Sequence, residues 1–206
     1  MKLTIFGASS PTGKILVEKG LAAGHEMTAF VRDELKLGIS HQNLRLLCGD
    51  AFKYENVAEA IRGSNAILST LGPRGKPAVM AAESTGNIVN AMEAYGVKRL
   101  VLVSVAGIAV PQDKRGKSVI DSLLRFFLRD VFTDRENQLT ILRASKLDWT
   151  VVRVPRLTEE AGKGLVKAFY GKPSPAMKLT RADLADFMIG QLKSDEWLRQ
   201  APILSN

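Results

Sequence analysis

Gly7-Ala8-Ser9-Ser10-Pro11-Thr12-Gly13 decides how this chain folds. It follows the apolar, partly β-branched run Leu3-Thr4-Ile5-Phe6 and leads into residues 14–23, whose apolar positions recur at helical period. A strand that ends in small residues and turns straight into a helix is the opening unit of a dinucleotide-binding fold. There the first glycine permits the tight turn, the last lets helix and strand pack closely, and a pyrophosphate sits at the helix N-terminus. The spacing here is three and three, Gly7-x-x-Ser10-x-x-Gly13, which departs from G-x-G-x-x-G. Ser10 suits an N-cap, and Pro11 suits the first helical position, where no backbone N–H is needed. Ser9, Ser10 and Thr12 offer hydroxyls to phosphate oxygens, while the Ser10 side chain adds a Cβ where backbone must approach a ligand. A small-residue βα turn without a ligand is the competing reading of the motif taken alone.

Strand-like and helix-like segments then alternate. Residues 27–31, 44–48, 66–70, 99–104 and 149–154 read as strands, and 56–63 and 79–96 have helical spacing. The pattern predicts βαβ units: a Rossmann-type, doubly wound parallel sheet with helices on both faces. The 206 residues read as one domain, with 155–206 adding a small C-terminal lobe on the substrate side. In that lobe Thr180 is placed as the N-cap of a helix with Asp183 at its third position, and Asp183 and Asp186 read as capping and packing groups.

Strand ends carry the chemistry. Arg32 closes the second strand some 19 residues past Gly13, where a ribose-reading residue belongs. An acid there selects NAD; a planar guanidinium suits a 2′-phosphate, so NADP(H) is preferred and NAD(H) remains possible, with Asp33 competing for the ribose. Asp50 and Ala51 follow the third strand, where a carboxylate and a backbone amide could meet adenine. Thr70, Leu71 and Gly72 follow the fourth, and Ser104 ends the fifth. In open α/β sheets, ligands bind outside these carboxyl ends.

The net charge of +8 is spread along the chain, densest at 113–117 and 163–178, with no nucleic-acid motif beside it. It reads as a solvated surface biased toward anionic ligands, with no nucleic-acid partner. No apolar run is long enough for a membrane helix and the N-terminus is no signal peptide, so a cytoplasmic protein without a membrane partner is expected. The single cysteine, Cys48, ends an apolar run and reads as buried. His25 and His41 read as surface residues, and no metal site is expected.

The motifs GASSPTG, AFVRD, GD (49–50), STLG, LVSVAG, LDWTVVRVPRLT and LTRADLADFMI resemble, in order, the atypical short-chain dehydrogenase/reductase group. This is the NAD(P)H-binding, NmrA-like set that includes the flavin/biliverdin-IXβ reductase type. The resemblance implies NADP(H) held by Gly7 through Gly13, Arg32, Asp50, Ala51, Thr70, Leu71, Gly72, Ser104 and Val105. Pro155 and Arg156 resemble the loop beside the nicotinamide and substrate.

Two departures stand out. Serine replaces the group's usual glycine at position 10, implying lost backbone freedom. The Tyr-x-x-x-Lys proton-donating pair of the wider superfamily is absent, since four residues after Tyr54, Tyr95 and Tyr170 lie Ala58, Arg99 and Ser174. The implied activity is NADPH-dependent hydride transfer to a flat conjugated acceptor (flavin, quinone or tetrapyrrole-like), with a proton from solvent. Ser104 and Arg156 are the candidate catalytic residues, and Phe126 and Phe127 could cover the substrate. The alternative is a non-catalytic NADP(H)-binding redox sensor of the NmrA-like type. A nucleotide-sugar epimerase is disfavoured by the missing tyrosine and the short lobe. A small-molecule substrate and a monomer or homodimer complete the expectation.

Overall fold

Leu3 and Ile5 on one face of the first strand, and Phe6 on the other, are all buried, so that strand lies inside a covered sheet. In the computed structural model, residues 1–72, 81–108, 110–111, 127–171 and 178–206 are described. The basic cluster 113–117 and Phe126 lie outside them. The chain runs β1 (Lys2–Phe6), α1 (Pro11–Ala22), β2 (Glu26–Val31), β3 (Leu44–Cys48), α2 (Tyr54–Ile61), β4 (Ala66–Ser69), α3 (Ala81–Ala94), β5 (Arg99–Val105), α4 (Arg129–Ala144) and β6 (Asp148–Val154). Then follow β7 (Arg156–Thr158), β8 (Lys167–Phe169), β9 (Lys178–Thr180), α5 (Arg181–Gly190) and β10 (Ile203–Ser205), with 3-10 turns at Glu34–Lys36 and Gln191–Lys193.

The main sheet has the order β3-β2-β1-β4-β5-β6-β10-β8, parallel except where β8 runs against β10. From β1 the chain winds outward one way through β2 and β3 and the other way from β4. That reversal opens a crevice at the carboxyl ends of β1 and β4, the place where such sheets bind ligands. Alternation along the strands builds two cores. Phe6, Ile67, Leu100, Leu102, Trp149 and Val151 pack with α2, α3 and α4; Leu3, Ile5, Val101 and Val152 pack with α1 and α5. Each such side chain contributes about 1.5–3 kcal/mol by leaving water. The fold class expected from the strand–helix alternation is the one observed.

β7 and β9 form a separate two-stranded parallel sheet, and β9 leads directly into α5. Thr180 Oγ1 accepts from Asp183 N–H at 3.1 Å, the N-cap anticipated, and donates to Asp183 Oδ2 at 2.7 Å. Asp183 does more than cap. It is buried, and accepts from the N–H groups of Lys163 (2.9 Å) and Gly164 (2.9 Å) and from the Asn206 amide. One carboxylate thus ties the 162–164 loop, α5 and the last residue together. Burial alone would raise its carboxyl; these hydrogen bonds outweigh that and hold it below the ordinary range.

Two sequence expectations fail. Cys48 is exposed, because β3 is an edge strand: Leu44 and Leu47 of its apolar run pack against the cores, but Leu46 and Cys48 face outward. Its thiol donates to the Arg32 carbonyl at 3.2 Å. His25 is buried where α1 turns back into β2, with its Nδ1 3.3 Å from the N-terminal ammonium. Burial first, then the positive charges of the N-terminus and Lys193, push its pKa below the ordinary 6.5.

Acid sensitivity follows from both groups. An unfolded His25 takes up a proton near 6.5 and the folded ring only at lower pH, so its contribution is complete above 6.5 and declines below it. His25→Gln should flatten the stability profile in that window, read by urea unfolding from pH 7.5 to 5. The Asp183 contribution is present above the ordinary carboxyl value of 3.8 and is lost as pH falls through the lower folded value. Asp183→Asn should lower stability by about 2 kcal/mol and Tm by roughly 4–8 °C at pH 7.

Candidate functional site

Gly7 stands at φ +79°, a left-handed conformation that favours glycine. A Cβ there would also lie 2.9 Å from Thr70 Oγ1. A Cβ on Gly13 would overlap the Gly7 carbonyl oxygen and come within 2.8 Å of Ala8 Cα. Helix α1 therefore touches the turn through bare backbone, as the spacing implies. Position 10 needs no glycine: Ser10 adopts φ −71°, ψ 158°, an extended N-cap conformation open to serine. This corrects the expected loss of backbone freedom.

The Ser10 hydroxyl is engaged within the turn. Gly13 N–H donates to Ser10 Oγ at 3.0 Å, and Ser10 Oγ lies 3.0 Å from Thr70 Oγ1. Thr70 Oγ1 sits 3.1 Å from the Gly7 carbonyl and 3.4 Å from that of Phe6. A hydroxyl has one proton. Thr70 gives its own to a β1 carbonyl, so Ser10 donates to Thr70, and the relay Gly13–Ser10–Thr70–β1 stitches α1 to the end of β4. The side chains of Ser9 and Thr12 make no hydrogen bond among the described residues and remain available to a phosphate.

Arg32 is exposed, and its guanidinium has no ion pair or hydrogen bond among the described residues. Asp33 is spent locally: Oδ1 accepts from Leu35 N–H at 3.1 Å, and Oδ2 lies 3.6 Å from Lys36 Nζ. After β3, Asp50 Oδ1 accepts from Phe52 N–H (3.1 Å), Asp50 N–H donates to Asn56 Oδ1 (3.1 Å), and the Ala51 carbonyl accepts from Asn87 Nδ2 (3.0 Å). The two asparagines hold this turn rigid, and the sequence alone does not single them out.

Register sets the inner end of the crevice. Ser69 closes β4 level with Leu102, so Ser104 projects two residues further along β5, beside Thr70–Gly72. Its hydroxyl is buried without a hydrogen-bond partner among the described residues. Space lies open around Gly72, where a Cβ would meet nothing within 4 Å. An orphaned buried hydroxyl beside an open glycine fits an oxygen or amide of a bound group.

Beneath these strand ends lies a polar cluster from α4 that motif reading missed. Buried Arg135 donates from Nη2 to the Leu71 carbonyl at 2.9 Å, and from Nη1 to Gln138 Oε1 at 3.2 Å and the Val103 carbonyl at 3.4 Å. Gln138 Nε2 donates to Thr85 Oγ1 at 2.8 Å. The Asp134 carboxylate accepts from the first N–H groups of α3, Ala81 (2.8 Å) and Ala82 (3.0 Å). Their polar character alone places them on a helix surface; only the packing of α4 on α3 buries them.

Pro155 lies half-buried between β6 and β7, and Val105 half-buried at the end of β5. Arg156 is exposed at the start of β7, with no side-chain partner among the described residues. Phe127 is exposed. The tyrosines are engaged or placed elsewhere: Tyr95 accepts from Arg62 at 3.2 Å, Tyr170 packs edge-on to Trp197, and Tyr54 opens α2. A depression of about 360 Å³ between Lys2, Asn43, Arg45 and Arg62 opens at the opposite, amino edge of the sheet, away from every nominated residue. Among the described residues, no His, Cys, Asp or Glu group could hold a metal ion, and no helix is long and apolar enough to cross a membrane.

The turn should rank its own variants. Ser10→Gly costs only a few tenths of a kcal/mol and Ser10→Ala about 1 kcal/mol, as at other N-caps. Gly13→Ala, which must push α1 off β1, costs about 1–3 kcal/mol or more. Urea midpoints should fall in that order.

Comparison with known proteins agrees with this geometry. The chain is 24% identical over 204 residues to the uncharacterized protein YwnB of Bacillus subtilis, covering 95% of this chain and 94% of that one. Among solved structures, it superposes on the oxidoreductase ylbE of Lactococcus lactis with a TM-score of 0.81, at 22% identity and covering 100% and 91% of the two chains. It superposes on ChuY, an anaerobilin reductase of Escherichia coli O157:H7, with a TM-score of 0.79, at 18% identity and 99% and 96% coverage. The family described as NAD(P)H-binding matches residues 7–195, from the glycine that ends β1 to beyond α5. The chain therefore belongs to the family described as NAD(P)H-binding.

Proposed function

We propose that the protein is an NADPH-dependent oxidoreductase that reduces a flat, conjugated acceptor of the flavin, quinone or tetrapyrrole class. The observation that carries this reading is Ser104: a buried hydroxyl without a partner at the inner end of the crevice, with none of the three tyrosines beside it. Reduction of an isolated carbonyl needs a protein proton donor at the reacting oxygen. A conjugated ring spreads the incoming charge and takes its proton from solvent, so one orienting hydroxyl is enough.

The residues fit a dinucleotide lying across the strand ends. The α1 N-terminus with Ser9, Pro11 and Thr12 would receive the pyrophosphate, and Asp50 and Ala51 the adenine. Thr70, Leu71, Gly72, Ser104, Val105 and Pro155 would line the nicotinamide end. When bound, the reduced nicotinamide supplies the hydride. Ser104 donates a hydrogen bond that orients the carboxamide or the acceptor. Arg156, exposed and without a side-chain partner among the described residues, anchors an anionic substituent of the acceptor. The guanidinium of Arg32, exposed and without a partner among the described residues, with Asp33 engaged by Leu35 and Lys36, supports NADPH over NADH. The structural neighbour described as an anaerobilin reductase is of the same chemical kind. A small molecule is the only partner this reading requires, and a monomer or homodimer suffices.

The test is oxidation of NADPH, followed at the reduced-nicotinamide absorbance band, against a panel of flavins, quinones and biliverdin-like tetrapyrroles. Turnover with at least one is expected; tight NADPH binding with no turnover across the panel replaces this reading with the redox-sensor one. Arg32→Ala should weaken NADPH binding about 10–100-fold, the loss of a charge-assisted contact of roughly 1.5–3 kcal/mol, and leave NADH binding nearly unchanged. Ser104→Ala should lower kcat more than cofactor affinity.

A further inference from the structure

Arg135 is a buried cation without a carboxylate against it. It is 3% exposed, and among the described residues its side-chain N–H groups donate only to carbonyl or amide oxygens, those of Leu71, Val103 and Gln138. Its Nε is buried with no partner among the described residues. Burial pulls the guanidinium below its ordinary value, against the pull of neighbouring Asp134, yet arginine keeps its proton inside proteins. The Asp134 carboxylate offsets only part of the charge, because it is turned to the first N–H groups of α3. Buried charges are normally paired, and leaving one unpaired is costly. A neutral amide could hold the same two carbonyls at lower desolvation cost, so tying strand ends together does not account for a charge here.

Position suggests what does. The carbonyls of Leu71 and Val103 belong to residues adjacent to Gly72 and Ser104, so the guanidinium lies directly under the inner end of the crevice. We infer that Arg135 sets the redox preference of the cofactor site: its fixed positive charge disfavours the cationic ring of NADP⁺ and leaves the neutral ring of NADPH untouched. This rests on the dinucleotide placement proposed above. Two unit charges separated by about 8 Å at an effective dielectric near 20 repel enough to change a binding ratio by about tenfold or more. The interaction is buried and only weakly screened by salt.

Calorimetric titration of the full chain with NADPH, NADP⁺ and 2′-phospho-ADP-ribose tests the inference. The wild-type protein should bind NADPH about tenfold or more tighter than NADP⁺, and NADP⁺ no tighter than the fragment lacking nicotinamide. Arg135→Lys, which keeps the charge, should retain the NADPH preference. Arg135→Met and Arg135→Gln should bring the two dissociation constants together while Arg32-dependent binding of the fragment persists. Equal wild-type affinities for NADPH and NADP⁺ would overturn the inference without any variant, as would a folded Arg135→Gln protein that keeps the preference. Failure of all three ligands to bind overturns the dinucleotide site itself, a different result from equal binding.

Discussion

The approach of α1 to the end of β1 governs this structure. Gly13 carries no side chain where any Cβ would overlap the Gly7 carbonyl, and Gly7 takes a conformation that few other residues tolerate. That contact sets the angle at which the first helix leaves the sheet. It also aims the helix N-terminus at the crevice, where two first-turn features, a proline without an N–H and a capped Gly13 N–H, leave few donors unspent. The hydroxyl relay from Ser10 to Thr70 carries the same constraint across to β4, so the two strands that border the crevice are joined by side chains as well as by their ladder. Serine at position 10 is thus a structural choice: it trades a backbone degree of freedom the turn does not use for a cap and a cross-strand bond.

Around that frame the strand ends are unequally equipped. The outer end, near Arg32 and Asp50, is rigid and polar; local caps consume Asp33 and engage Asp50, and asparagines from α2 and α3 brace the turn. The inner end has an unsatisfied hydroxyl, open space at Gly72 and a buried cation beneath. Polar groups left unsatisfied or unpaired in a native interior call for a ligand or a function. Here they concentrate at the inner end of the crevice, beside Gly72 and Ser104.

The C-terminal segment serves this arrangement from the other face of the sheet. Asp183 gathers the 162–164 loop, the start of α5 and the terminal asparagine around one buried carboxylate. β10 then extends the main sheet past β6, and β8 closes the edge in the antiparallel sense. The loop after β6, with Pro155 half-buried and Arg156 exposed, leaves the sheet at its carboxyl edge without joining the cores.

The local chemistry of the chain was enough to specify the alternating strands and helices, the glycine turn, the Thr180–Asp183 cap and the residues at each strand end. These depend on periodicity and on near neighbours in sequence, which a single chain displays openly. Other features depend on which surfaces meet. Cys48 and Leu46 look like core residues until β3 proves to be an edge strand, and His25 looks like a surface residue until the N-terminus folds over it. The bond from Ser10 to Thr70 and the charge of Arg135 under the crevice were likewise invisible. Each arises from contact between segments tens of residues apart: whether a polar group is satisfied, buried or free is a property of its neighbours in space, and packing alone assigns those.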